Sequence, residues 1–175
     1  MNATGIIRRI DDLGRIVIPK EFRRKLRIKE GDPLEIFTGD DNDVVIFKRY
    51  TPIGEFENMS KMLTALYKTV KCPIVICDTD RVKVAYKIPS ELYAGQYITD
   101  FFSEIIRDGS KATDNVYPIE GAPVKVQFIQ RIVVNGDVYG AVVLLSCNAA
   151  ADVPIEAMEY GTKFLADTIA TMLEI

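Results

Sequence analysis

Basic residues crowd one end of this chain, and that crowding decides how the chain can be divided. Residues 5 to 29 hold nine Lys and Arg against three Asp and Glu, a local charge of +6, whereas residues 51 to 175 hold 11 against 16, a local charge of −5. The overall charge of −3 taken alone argues against a polyanionic partner, but placement matters more than the sum. A polyanion is attracted to the first segment and repelled by the second, so a phosphate-binding face belongs near the N-terminus. The shift in composition coincides with Tyr50-Thr51-Pro52-Ile53-Gly54, where Pro52 cannot donate to a sheet ladder and Gly54 permits a bend. Two domains, 1–53 and 54–175, are therefore expected, a division that 175 residues accommodate.

The first fifty residues read as four short strands and one helix. Ile6 to Ile10 and Arg15 to Ile18 are apolar, β-branched runs on either side of Asp11-Asp12-Leu13-Gly14, a turn in which Gly14 can take positive φ. Pro19 suits the first position of a helix continuing through Lys20 to Leu26. At about 100° per residue, Lys20, Arg23, Arg24 and Arg27 share one stripe, with Phe22 and Leu26 opposite, so one face is expected to be core and the other to meet anions. Glu30-Gly31-Asp32-Pro33 breaks the chain; strands over 34–37 and 44–48 follow, joined by the acidic loop 38–43. Such a unit buries too little apolar surface to be stable alone, and dimerisation would complete its core.

The run Thr4-Gly5-Ile6-Ile7-Arg8-Arg9-Ile10-Asp11-Asp12-Leu13-Gly14-Arg15-Ile16-Val17-Ile18-Pro19-Lys20-Glu21-Phe22-Arg23-Arg24 closely resembles the AbrB-type swapped-hairpin DNA-binding domain, and the likeness continues through Leu26-Arg27-Ile28 and Gly31 to Ile36. The resemblance implies that two chains interlace their hairpins into one dimeric barrel, and that Arg8, Arg15, Arg23 and Arg24 contact double-stranded DNA. Arg9, Lys20 and Arg27 are added on the charge pattern alone. Phe22 is bulkier than the Ile or Leu expected at its position, a difference in packing rather than on the DNA face. Guanidinium groups give bidentate hydrogen bonds to phosphates or guanine edges, and each neutralised phosphate releases counterions. Charge alone leaves a solvated helix face as an even alternative; the extended motif favours DNA. The resemblance also implies recognition through DNA shape as much as through single bases.

In the second domain, Phe56, Met59, Leu63, Leu66 and Val70 recur at alternating steps of three and four, a heptad seam on a helix over 55–70. Two heptads are fewer than a coiled coil needs, so a helix lying on its own sheet is the competing reading. A closing helix over 154–175 carries Ile155, Met158, Leu165, Ile169 and Met172, and the two helices are expected to pack together and to contact a second copy. Strands are expected over 74–77, 82–86, 124–134 and 138–146, the last two joined by Asn135-Gly136, with a mostly helical stretch over 90–108. This order resembles the GAF domain, a sensor of small molecules or protein partners, over 56–175. The fold class is thus α+β: a dimeric swapped-hairpin β-barrel followed by a GAF-like domain with a central antiparallel sheet. The two domains in this order resemble transcription regulators of sporulation.

No histidine occurs, which removes the commonest general base and zinc ligand and every Ser-His or Cys-His pair. Neither cofactor nor metal is implied, and the signature of cyclic-nucleotide-binding relatives is missing. Asp78 and Asp80 read as turn chemistry rather than metal ligands. Cys77 and Cys147 read as small buried hydrophobes, with a redox switch as the minor alternative, and Cys72 before Pro73 is expected to be more exposed. Tyr86, Phe101, Phe102, Tyr117 and Phe128 either line a pocket or are plain core, core being favoured. The longest apolar run, Gly140 to Leu145, falls far short of the roughly 18 residues of a membrane span. Met1-Asn2-Ala3-Thr4 lacks the pattern of a secretory signal, so a cytoplasmic, nucleoid-associated protein without a membrane partner is expected.

Three functions compete. A transcription regulator would bind DNA as a dimer, or as a tetramer through the C-terminal helices, under an unidentified effector. An antitoxin-like module would hold a toxin, although such proteins use an extended tail where this chain has an apolar, foldable segment. A thiol-dependent enzyme would use Cys72, Cys77 or Cys147, but a chain without histidine makes this the minority reading, and a regulator rather than an enzyme is expected.

Overall fold

The computed structural model describes residues 5–39, 44–50, 53, 59–109 and 115–174. Residues 1–4, most of the acidic loop 38–43, the boundary residues Thr51, Pro52 and Gly54, and Phe56 of the heptad seam lie outside the described residues. The chain forms two compact units, Met1–Tyr50 and Thr51–Ile175.

In the first unit, helix α1 (Lys20–Lys25) follows Pro19, whose ψ of 147° places it just outside the helix rather than at its first position. Strands β1 (Leu34–Thr38) and β2 (Val45–Arg49) pair antiparallel, with Leu34 opposite Arg49 and Thr38 opposite Val45. The strands expected over 6–10 and 15–18 are not formed within the single chain. Among the described residues, this hairpin is held by Asp11 N–H donating to the Arg15 carbonyl at 3.1 Å and Gly14 N–H donating to the Asp11 carbonyl at 3.0 Å. Its arms are apolar yet uncovered, with Ile7 at 85% and Val17 at 74% exposure, and a two-stranded ribbon without a packed face is marginal in water. The apolar helix face also meets no core, because Leu26 is exposed and Phe22 only half-buried. None of the described residues of this unit is buried.

The second unit is built around a four-stranded antiparallel sheet of order β4-β3-β6-β5, from β3 (Ile74–Asp78), β4 (Val82–Tyr86), β5 (Val126–Val134) and β6 (Asp137–Leu145). Alternation along the central strands feeds two apolar layers. Ile74, Ile76, Val142 and Leu144 face helices α2 (Met59–Val70) and α5 (Ile155–Leu173), against Leu63, Leu66, Leu165 and Ile169. Val75, Cys77, Val143 and Leu145 enter the other layer, with Phe102, Ile105 and Ile106 of α4 (Asp100–Asp108) and Tyr93 of α3 (Ser90–Tyr93). A strand buried on both faces reads as an unbroken apolar run, which is why β3 is buried throughout.

Local chemistry sets the boundaries. The Thr99 hydroxyl accepts from the Phe102 amide at the start of α4, and Gly109, at φ 72°, ends it in the left-handed region. Asn135 and Gly136, at φ 51° and 91°, make the tight turn between β5 and β6. The stretch expected to be mostly helical over 90–108 is interrupted at 94–99. There Gly95 N–H donates to the Val82 carbonyl and Val82 N–H to the Gln96 carbonyl, and Ile98 bridges Ile119, so pairing with distant chain overrides local helix preference. α2 and α5 pack together, and a Cβ added to Gly161 would lie 2.7 Å from Leu66 Cδ1, so glycine is what allows this close approach.

Candidate nucleic-acid interface

Arg8, Arg9, Arg15, Lys20, Arg23, Arg24 and Arg27 are all exposed. Arg8 and Arg9 precede the hairpin turn, Arg15 follows it, and Lys20, Arg23 and Arg24 lie on α1. Asp11 builds the turn: its Oδ1 accepts from the Leu13 amide at 3.0 Å and the Arg15 amide at 2.8 Å. Its Oδ2 accepts from Arg15 Nε at 2.8 Å. The Arg15 amide bond and then the Arg15 side-chain bond hold the Asp11 carboxyl below the ordinary carboxylate range. Arg15 is thus aimed by its own turn, a pairing that sequence reasoning missed although the Asp-x-x-x-Arg spacing carries it.

Arg27 does not share the helical stripe with Lys20, Arg23 and Arg24. The helix ends at Lys25, and Arg27 stands at φ 52°. Arg27 N–H donates to the Arg24 carbonyl at 3.2 Å and Ile28 N–H to the Arg23 carbonyl at 2.8 Å. These two bonds form the paired closure of a Schellman turn, here with Arg in the left-handed position that glycine favours. Behind it, the Arg49 guanidinium donates to the Arg27 carbonyl and lies 3.4 Å from Asp32 Oδ2, which also accepts from the Lys29 amide at 2.8 Å. Arg49 of β2 thereby ties the end of the basic helix to the strand pair, a role the charge pattern did not reveal.

Among its described residues, the second unit offers no comparable basic cluster. The Asp78 Oδ1 accepts from the amides of Asp80 and Arg81, both at 2.6 Å, and its Oδ2 lies 3.2 Å from Lys83 Nζ. This is turn chemistry, and among the described residues no group of three His, Cys, Asp or Glu is placed to hold a metal. The aromatic residues do not converge. Phe102 lies in the α4 layer, Tyr86 and Phe128 border the α2/α5 layer, and Phe101 and Tyr117 are exposed. Cys72 is buried, contrary to the exposure expected of it, because it opens the path into the central strand; Cys147 lies beyond β6 and is only half-buried. Burial pushes the Cys77 thiol far up, which suits a core residue and not a nucleophile. Between α2 and α5 runs an apolar groove of about 540 Å³, lined by Met62, Leu66, Tyr160, Gly161 and Phe164 among others. No helix among the described residues is long and apolar enough to cross a membrane.

Residues 55–173 match the family described as stage V sporulation protein T C-terminal, transcription factor. The chain is 39% identical over 175 residues to stage V sporulation protein T of Bacillus subtilis (strain 168), covering 95% of this chain and 97% of the relative. The chain belongs to the stage V sporulation protein T family. Residues 7–56 also match the family described as antidote-toxin recognition MazE, bacterial antitoxin. The same end is 52% identical over 52 residues to the transition state regulatory protein AbrB of that organism, covering 30% of this chain and 52% of AbrB. A solution structure of the N-domain of the transcription factor AbrB is 52% identical, covers 30% of this chain and 96% of the AbrB domain, and superposes with a TM-score of 0.27. Within this stage V sporulation protein T family, the basic hairpin and α1 are therefore the AbrB-like end, and the closed four-stranded unit is the part matched by the family's C-terminal region.

Proposed function

We propose that this chain is a DNA-binding transcription regulator of sporulation genes, acting through domains 1–53 and 54–175. Arg8, Arg15, Arg23 and Arg24 contact the duplex, and Arg9, Lys20 and Arg27 supply supporting phosphate contacts. One observation carries the reading: none of the described residues of the first unit is buried, while all seven of these basic side chains are exposed. A unit with no core of its own is completed by a second copy, and interlaced hairpins cover Ile7, Val17 and the apolar residues of β1 and β2. Two copies then double the cationic footprint. The relationship to AbrB, one of whose solution structures is of its DNA recognition domain, supports the same role.

The second unit is read as a GAF-like sensor that also joins chains through α2 and α5, turning dimers into a tetramer. The apolar groove and the exposed Tyr160 and Phe164 on its rim favour such a contact. An unidentified small molecule or protein partner acting on this unit would modulate DNA binding. The match of residues 7–56 to an antitoxin family favours a second reading, a toxin-binding module. Against it, the chain that follows folds into a compact unit with two apolar layers rather than an extended tail.

The test is binding of an AT-rich duplex as a function of salt for the full chain, for residues 1–53 and for an Arg23→Ala/Arg24→Ala variant. A steep slope that falls by about 0.9 for each lost phosphate contact supports the basic face. Weak attraction indifferent to the double substitution removes the reading and makes a protein partner the better search.

A further inference from the structure

The three cysteines occupy different settings. Cys77 belongs wholly to the core layer under α4. Cys72 follows Lys71, the left-handed residue (φ 57°) that ends α2 and turns the chain into β3. Cys147 lies two residues beyond β6, at the entrance to the 3-10 turn Asn148–Ala150 that leads to α5.

The pairing of β3 with β6 brings these two connections together. Ile74 is opposite Leu144, and one step outward the Leu145 amide donates to the Pro73 carbonyl at 2.9 Å. Further out, the Cys147 thiol donates to the Lys71 carbonyl at 3.1 Å, which sets its sulfur against the peptide that joins Lys71 to Cys72. Cys147 packs, half-buried, on the apolar cluster that contains Cys72. Burial and then the neighbouring Cys147 push the Cys72 thiol up to about 11. The two thiols thus touch the same patch, one reachable from solvent and the other enclosed.

We propose that Cys72 and Cys147 form a reversible dithiol–disulfide site, oxidised by a low-molecular-weight disulfide such as glutathione disulfide. Cys147 loses its proton to solvent and attacks one sulfur of the small disulfide. That sulfur–sulfur bond breaks, one small thiolate leaves and a mixed disulfide forms on Cys147. Cys72 then loses its proton and attacks the Cys147 sulfur, forming the protein disulfide as the second small thiolate leaves. Two protein thiols are oxidised by two electrons, and one small disulfide becomes two thiols. Because the enclosed thiol must ionise, the second step quickens as pH rises. The bridge ties the end of α2 to the segment entering α5, and so fixes the two helices that wall the apolar groove.

The experiment is to incubate the folded full chain with glutathione disulfide and measure its intact mass without reduction. The expected product has lost two hydrogens and retains no glutathione. Digestion should join the peptide beginning at Cys72 to the one containing Cys147, with fragmentation between Cys72 and Cys77 assigning the bridge to Cys72. Dithiothreitol should restore both thiols, and Cys147→Ser should abolish the product. A persistent glutathione adduct on Cys147 with Cys72 still open to alkylation, a bridge to Cys77, or an unchanged mass would overturn the proposal. If Cys147→Ser does not fold, the peptide map of the unsubstituted chain decides.

Discussion

The two units use similar apolar material in opposite ways. In the second, both faces of the sheet are covered by the chain's own helices, and β3 is enclosed from end to end. In the first, Ile36, Val45 and Phe47 lie exposed on a two-stranded sheet that no described residue of the same unit encloses. In their apolar residues the two units differ in closure: one has enough elements to form layers, whereas the other has, among its described residues, one short helix and two paired strands. The first unit thus sets uncovered apolar residues beside a cluster of exposed arginines, the observation on which the proposed dimeric DNA-binding domain rests.

The contrast is broken most directly by two phenylalanines of similar exposure. Phe47 in β2 is 43% exposed and Phe101 in α4 is 57% exposed. If a second copy completes the first unit, Phe47→Ala should cost about 3–5 kcal/mol, the range for a buried aromatic residue, and weaken dimerisation. Phe101→Ala should stay within about 0.5 kcal/mol, as for an ordinary surface change. Denaturant titrations at several protein concentrations measure both. A harmless Phe47→Ala would mean that this face stays open and that the first unit is stabilised in some other way.

The closed unit is probed at Gly140 of β6. A Cβ there would collide with the Cys77 carbonyl and approach Asp78 Cα at 2.9 Å, backbone that cannot rotate away. Gly140→Ala should therefore cost about 1–3 kcal/mol through overpacking, and should do so equally at all protein concentrations. A concentration-dependent loss would mean that the second unit also relies on a partner for its core.

The same contrast governs what could be read from the sequence. The strands of the second unit were legible because residues such as Ile74 and Ile76 against Val75 and Cys77 supply both layers from one continuous run, and Asn135-Gly136 marks its turn. The basic positions were legible as charge. The burial of Cys72 was not, because its position before Pro73 carries no information about the β6 strand beside it. Nor was the break at 94–99, where bonds to Val82 outweigh local preference. Arg27 was misplaced on the helix stripe because the usual stop signal, glycine, is absent from the left-handed position.

Lys71 presents the same conformation at the end of α2, with φ 57° and its amide donating to the Tyr67 carbonyl at 2.9 Å. Glycine adopts this region without the clash of a Cβ, so Lys71→Gly should stabilise the second unit by about 1 kcal/mol. Thermal unfolding measures the gain. A loss instead would show that the lysine side chain contributes more than its backbone strain removes.

The smallest effect is expected at Asp11, because both partners of its ion pair are largely in water: 70% exposure for the Arg15 side chain and 38% for that of Asp11. Its carboxyl is held below the ordinary value of 3.8 by the Arg15 amide and then the Arg15 side chain. The folded turn therefore binds the proton less readily than the unfolded chain. Its contribution is complete above the ordinary value and disappears as pH falls through the lowered one. Asp11→Asn keeps an oxygen to accept from the Leu13 and Arg15 amides but removes the charge that holds Arg15 Nε. Measured against the intrinsic rate at each pH, exchange of the Arg15 Nε–H should be protected near neutral pH, lose that protection as pH falls through the lowered value, and be unprotected at every pH in the variant. If the variant matches the unsubstituted chain, the turn is held without the Asp11 charge, and Arg15 is free to reach DNA without an ionic partner in its own turn.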